Sequence, residues 1–138
     1  MESSPARLYC TLVGGVLVIA GIIGFFYEAS FATGDSLVAD DVFGILAVNG
    51  WHNLVHLGIG IILLVGAGYA SRELSLGVGI LYIALAIWGF LVVDDGVGDI
   101  INLVPVNTED NFLHLILGLT GVAAGSATPK EGIPAAAA

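Results

Sequence analysis

The stretch Val48–Gly60 reads VNGWHNLVHLGIG, and Val106–Gly118 reads VNTEDNFLHLILG. Both follow one pattern, Val-Asn-x-x-x-Asn-x-x-His-Leu-x-x-Gly. The match reaches back to Asp41 and Asp99, each followed by a short apolar stretch, VFGILA in one case and IINLVP in the other. At a slightly larger offset Arg7 pairs with Arg72, Val13 with Val78, Gly14 with Gly79, and Gly24-Phe25 with Gly89-Phe90. The chain therefore reads as a duplicated half, with repeats over about 7–70 and 72–127 and a longer loop in the first. Amides and imidazoles in an apolar helix are costly unless paired, so their recurrence at one spacing marks a requirement.

The surroundings of the two copies are apolar enough to set the environment. Hydrophobic residues make up 57% of the 138-residue chain and charged ones only 11%, and the mean hydropathy is +1.00. That is too apolar for a soluble domain of this size. Runs without Asp, Glu, Lys or Arg cover Leu8–Tyr27, Leu54–Ala70, Leu74–Val93 and Phe112–Ala127. Each is near the ~20 residues that cross a hydrocarbon core, and no alternating segments of the kind that build membrane barrels are visible. The expected fold is all-α: an integral membrane four-helix bundle of two tandem helical hairpins, related by a pseudo-two-fold axis along the membrane normal. Residues 1–127 form one membrane domain, and Thr128–Ala138 (TPKEGIPAAAA) reads as a disordered tail.

Charge orients the helices. Arg7, Arg72 and Lys130 lie before the first span, between the second and third, and after the fourth. The other two loops hold Glu28, Asp35, Asp40, Asp41, Asp94, Asp95, Asp99, Glu109 and Asp110 without a single basic residue. The positive-inside rule puts both termini and the central loop in the cytoplasm of a multi-pass plasma-membrane protein. The acidic outer loops read as a solvated face suited to high salt, as in a salt-loving archaeon. With no basic patch, a nucleic-acid partner is not expected. The lone Cys10 allows no intrachain disulfide and reads as a reduced, packed thiol. The first span resembles a signal peptide, but its length and its echo in the third span favour a retained helix.

Asn49 and Asn107 are expected N-caps of the second and fourth helices, which run to about Ala70 and Ser126, with Glu109 and Asp110 at the positive end of the fourth helix's dipole. The segments Val42–Val48 and Ile100–Val106, too short to span, read as interfacial or re-entrant pieces. Offsets of four, seven and eleven residues put Asn49, Asn53, His56 and Gly60 on one stripe of a helix, and Asn107, Asn111, His114 and Gly118 on another. Such stripes must face protein, a cavity or a ligand rather than lipid. His56 and His114 each lie seven residues past their caps, roughly 10 Å down the helix, and the pseudo-symmetry brings them together near the axis.

Three arrangements fit that geometry. Pairing of the histidines with Asn111 and Asn53, or with each other, makes a structural network. A slot floored by Gly60 and Gly118 admits bis-histidine haem b. If His52 and Asp110 lean in, His52, His56, His114 and Asp110 make a divalent metal site at the rim, although His52 by itself reads as a solvated first-turn residue. No nucleophile motif, phosphate loop or paired membrane-depth acids appear, so no catalytic residue is assigned and an enzyme is not expected. Gly14, Gly21, Gly24, Gly77, Gly79 and Gly89 read as helix contact surfaces.

The two Asn-x-x-His-Leu motifs, Asn53–Leu57 and Asn111–Leu115, with Pro105-Val106-Asn107 before the second, resemble the prokaryotic family catalogued as domain of unknown function 4383. The resemblance runs from Arg7 to Gly121 and implies a four-helix integral membrane protein, with no activity attached. The leading functional reading is a non-enzymatic membrane subunit or scaffold, in the bilayer with a second copy or other membrane subunits. A haem- or metal-binding protein using His56 and His114 comes second, and a small repeat-built transporter third.

Overall fold

The structure is a computed structural model that describes residues 3–130. Its main elements are α1 (Pro5–Tyr27), β1 (Asp40–Val42), β2 (Leu46–Val48), α2 (Gly50–Gly66), α3 (Ser71–Val92), β3 (Val97–Ile100), β4 (Val104–Asn107) and α4 (Thr108–Ala127). A helix, two strands and a helix thus follow one another twice. α1 packs chiefly on α2 and α3 chiefly on α4, while α1 also touches α3 and α4.

Glycine sets these hairpins. An added Cβ at Gly14 would sit 3.0 Å from the Gly60 carbonyl oxygen, and one at Gly60 only 2.8 Å from that of Gly14. Gly79 and Gly118 repeat the arrangement at 2.9 and 2.8 Å. Bare backbones therefore meet at matching points in both pairs, as small residues allow between apolar helices. The large side chains point the other way. Leu8, Leu12, Val16 and Ile19 of α1 are exposed while Gly14, Leu17, Gly21 and Gly24 are buried. In α4, Phe112, Ile116 and Leu119 are exposed while Asn111, His114 and Gly118 are buried. α2 and α3 follow suit, exposing Ile61, Ile62 and Val65, and Ile80, Ile87 and Leu91. By length and composition α1 and α3 are each able to cross a membrane.

The strands depart from the all-α expectation. Val42–Val48 and Ile100–Val106, read from sequence as interfacial or re-entrant pieces, belong to two antiparallel β-hairpins. In the first, Val42 pairs with Leu46 across Phe43 and Gly44; in the second, Ile100 pairs with Val104 across Ile101 and Asn102. All four turn residues have positive φ, from 52° to 70°, as a two-residue hairpin loop demands. Ile101 is a poor occupant of that region, and neither Phe-Gly nor Ile-Asn is the usual turn dipeptide, so the signal in the sequence is faint.

The helix ends shift too. α2 stops at Gly66 rather than near Ala70, because Tyr69 and Ala70 both donate to the Gly66 carbonyl and close a turn through Gly68. Thr128, assigned by sequence to the start of the tail, is packed: its hydroxyl accepts from the Ala6 N–H at 2.9 Å and its carbonyl from Arg72 Nε at 3.0 Å. Residues 131–138, the remainder of the expected tail, lie outside the described residues.

The close approach gives a direct test. Gly60→Val and Gly79→Val are expected to lose about 1–3 kcal/mol or more, because the added methyls meet backbone that cannot retreat. Gly15→Ala and Gly77→Ala, whose Cβ atoms would meet nothing within 4 Å, should cost nothing and gain up to about 1 kcal/mol of helix propensity. Reversible unfolding in detergent micelles measures both.

Candidate functional site: a polar clasp above three histidines

β2 and β4 lie against each other where α2 and α4 begin. Asn49 caps α2, its Oδ1 accepting from the His52 N–H at 2.9 Å, while its Nδ2 crosses to the Leu103 carbonyl at 2.7 Å. Asn107 does the same for α4: Oδ1 accepts from the Asp110 N–H at 2.8 Å, and Nδ2 donates to the Ile45 carbonyl at 2.7 Å. Each asparagine therefore ends a helix of its own half and holds a hairpin turn of the other. Asn49 is fully buried and Asn107 nearly so, so loss of either bond would strand polar groups.

Asp110 adds a third tie. Its Oδ2 accepts from the Asn107 N–H, completing a capping box, and from the Ala47 N–H of the opposite half, both at 3.0 Å. His52 holds the matching place in α2, and the residue matching Ala47 is Pro105. Proline has no N–H. A carboxylate at position 52 would find no donor there, and none is present. Relieved of a capping task, His52 turns inward.

There it meets the other two histidines. His52 Nε2 and His56 Nε2 are 3.1 Å apart, so one of the two carries the proton and donates to the other. The ring centroid of His114 lies 5.9 Å from that of His52 and 6.3 Å from that of His56. One nitrogen from each ring falls within 4.8 Å of the others. His52 and His114 are buried, His56 partly so, and the Nδ1 atoms of His52 and His114 have no hydrogen-bond partner among the described residues. Tyr82 covers His114 at 5.2 Å between ring centroids.

Two apolar cavities flank the cluster and share His56 and His114 as wall. One, of about 230 Å³, is lined by residues including Val55, Ile59, Leu81 and Leu85 on α2 and α3. The other, of about 280 Å³, is lined by residues including Val16, Ile19 and Ala20 of α1 and Leu113 and Leu117 of α4, with Asp110 at its edge.

The stripes expected from the sequence split in two. Asn53 does not pair with a histidine; its Nδ2 donates to the Glu28 carbonyl at 2.8 Å and its Oδ1 fills the space a Cβ at Gly24 would take. Asn111 is wedged against Gly89 in the same way, and its amide has no hydrogen-bond partner among the described residues. Three residues of helix turn a side chain by about 60°, enough to aim the asparagines at α1 and α3 and the histidines at the centre. Gly60 and Gly118 likewise face Gly14 and Gly79 rather than flooring a slot between the histidines. His52 Nε2 lies 3.1 Å from His56 Nε2, the nitrogen that bis-histidine haem ligation would use. His52 is not the solvated residue its first-turn place suggested, and Asp110, offered as a metal ligand, has an oxygen committed to two backbone N–H groups. The exchange of Ala47 for Pro105 is the signal in the sequence that could have found the asymmetry.

The profile of a protein family described as a domain of unknown function (DUF4383) matches residues 7–127. The chain belongs to that family. No curated protein and no solved structure matches it, so the family supplies kinship and the geometry must supply chemistry.

The Pro105 argument predicts a rescue. His52→Asp alone should cost on the order of 2 kcal/mol, for a buried carboxylate short of one donor. Adding Pro105→Ala restores the N–H, and a double-mutant cycle by reversible unfolding should return a favourable coupling of about 1 kcal/mol. Additive losses would contradict the account.

Proposed function

We propose that this family member is a four-span integral membrane protein of two like hairpins, a duplicated half related by a pseudo-two-fold axis, acting as a non-enzymatic scaffold or subunit. The observation that carries this reading is the burial pattern: every helix turns glycine inward, α2 and α4 also asparagine and histidine, while most of the large aliphatic side chains stand outside and only a few, Leu17 and Leu63 among them, fill the core. In water such faces would aggregate, whereas a hydrocarbon solvent suits them. α2 is the shortest helix at 17 residues, at the lower limit for a span, and the β-hairpins cover its outer end. The reciprocal asparagine bonds support the two-fold relation, each half giving the other the same donor. A scaffold reading suits an interior in which Asn49, Asn107 and Asp110 join one half to the other, with no acid or base at mid-depth for coupled transport.

The basic residues at Arg7, Arg72 and Lys130 support cytoplasmic termini in the plasma membrane. Single cysteines in a Cys10→Ser background test this. Ser36→Cys and Asp95→Cys should react with an impermeant maleimide in intact cells, and Glu73→Cys only after lysis. Labelling of Glu73→Cys from outside would reverse the topology. The subunit role predicts a mass above the monomer in native mass spectrometry from lipid nanodiscs, and a monomer alone would contradict it.

A further inference from the structure

We propose that His52, His56 and His114 bind one first-row transition-metal ion of the imidazole-preferring kind, zinc or copper. This goes beyond the scaffold reading, which needs no ion. Three convergent nitrogens lie within 4.8 Å of one another, and side-chain rotation that closes them to about 3.4 Å would set all three on one tetrahedral ion at ~2.0–2.1 Å per bond. The walls around them are apolar on both sides, so the trio has little besides itself to satisfy its lone pairs. Only one hydrogen bond joins the three rings.

The tautomers required are within reach. Coordination through Nε2 of His52 and His56 removes the proton now shared between them, and each ring then carries its N–H on Nδ1. For His52 that nitrogen has no hydrogen-bond partner among the described residues and is free to make a second contact. A carbonyl accepting from the far nitrogen is the usual second contact of a metal-bound histidine. The donor set is neutral, so the cation's charge must be offset nearby. Asp110 borders the cavity shared with His56 and His114 and is the carboxylate placed to do so. A fourth coordination position opens onto the flanking cavities, as in three-histidine sites that keep an exchangeable ligand.

The test uses untagged full-length protein in detergent, stripped with chelator and titrated separately with zinc, with copper(I) under reductant, and with magnesium as a control. Zinc or copper should bind at one equivalent per chain and raise the unfolding temperature, and magnesium should do neither. X-ray absorption of the loaded wild type should show a shell of three imidazole nitrogens, which needs no variant to fold. His52→Gln, His56→Gln and His114→Gln should each weaken binding by about 100-fold or more, while Glu109→Gln leaves it unchanged. Failure of both zinc and copper to bind, a shell dominated by sulfur or carboxylate oxygen, or undiminished binding by a folded His114→Gln would overturn the proposal. Because the scaffold reading rests on topology and assembly, its labelling and mass experiments stand or fall separately.

Discussion

Each half of this protein ends a helix with an asparagine whose free amide proton is spent on the other half's backbone. The arrangement at the starts of α2 and α4 follows from that exchange. The bond from Asn49 Nδ2 to the Leu103 carbonyl and that from Asn107 Nδ2 to the Ile45 carbonyl fix the hairpin turns over the opposite helix starts. They bring β2 beside β4 and α2 toward α4 at their outer ends. An Asn side chain suits the position because it accepts and donates at once; serine or aspartate would cap equally well but could not reach across in this way. In an apolar solvent such bonds gain weight chiefly because the alternative is an unpaired group.

Below the clasp the two halves part company. Asp110 uses the Ala47 N–H, and Pro105 offers His52 none. Where the fourth helix has a capping carboxylate, the second has a third imidazole beside His56 and His114. The shared spacing of the two motifs places His56 and His114 alike on α2 and α4, and where Asp110 takes a capping role in α4, His52 stands in α2 as the third imidazole. The glycine contacts between α1 and α2, and between α3 and α4, set each hairpin's width and leave the asparagines Asn53 and Asn111 just room enough against Gly24 and Gly89.

Much of this was legible in the sequence, for physical reasons. Apolar runs of span length read as four helices by their length alone, because about twenty uncharged apolar residues are what a helix needs to cross a hydrocarbon core. The caps at Asn49 and Asn107 were legible because an N-cap is local chemistry, settled within four residues. The β-hairpins were not. Strands of three and four residues carry little periodicity, and their turns use Phe43-Gly44 and Ile101-Asn102, where the two-residue loop demands positive φ of a first residue that does not favour it. The grouping of asparagine and histidine into one stripe was right about spacing and wrong about aim, since about 60° of helix rotation decides which neighbour a side chain meets. His52 was hardest to place, because its setting depends on what Pro105, 53 residues away in sequence, does not donate.

The central claim is the reciprocal clasp, and nuclear magnetic resonance of the labelled protein in micelles reads it directly. The side-chain amide protons of Asn49 should show cross-relaxation to Leu103 and Val104, those of Asn107 to Ile45 and Leu46, and both pairs should exchange slowly with water. Rapid exchange of these amides, with no cross-peak between the halves, would contradict it.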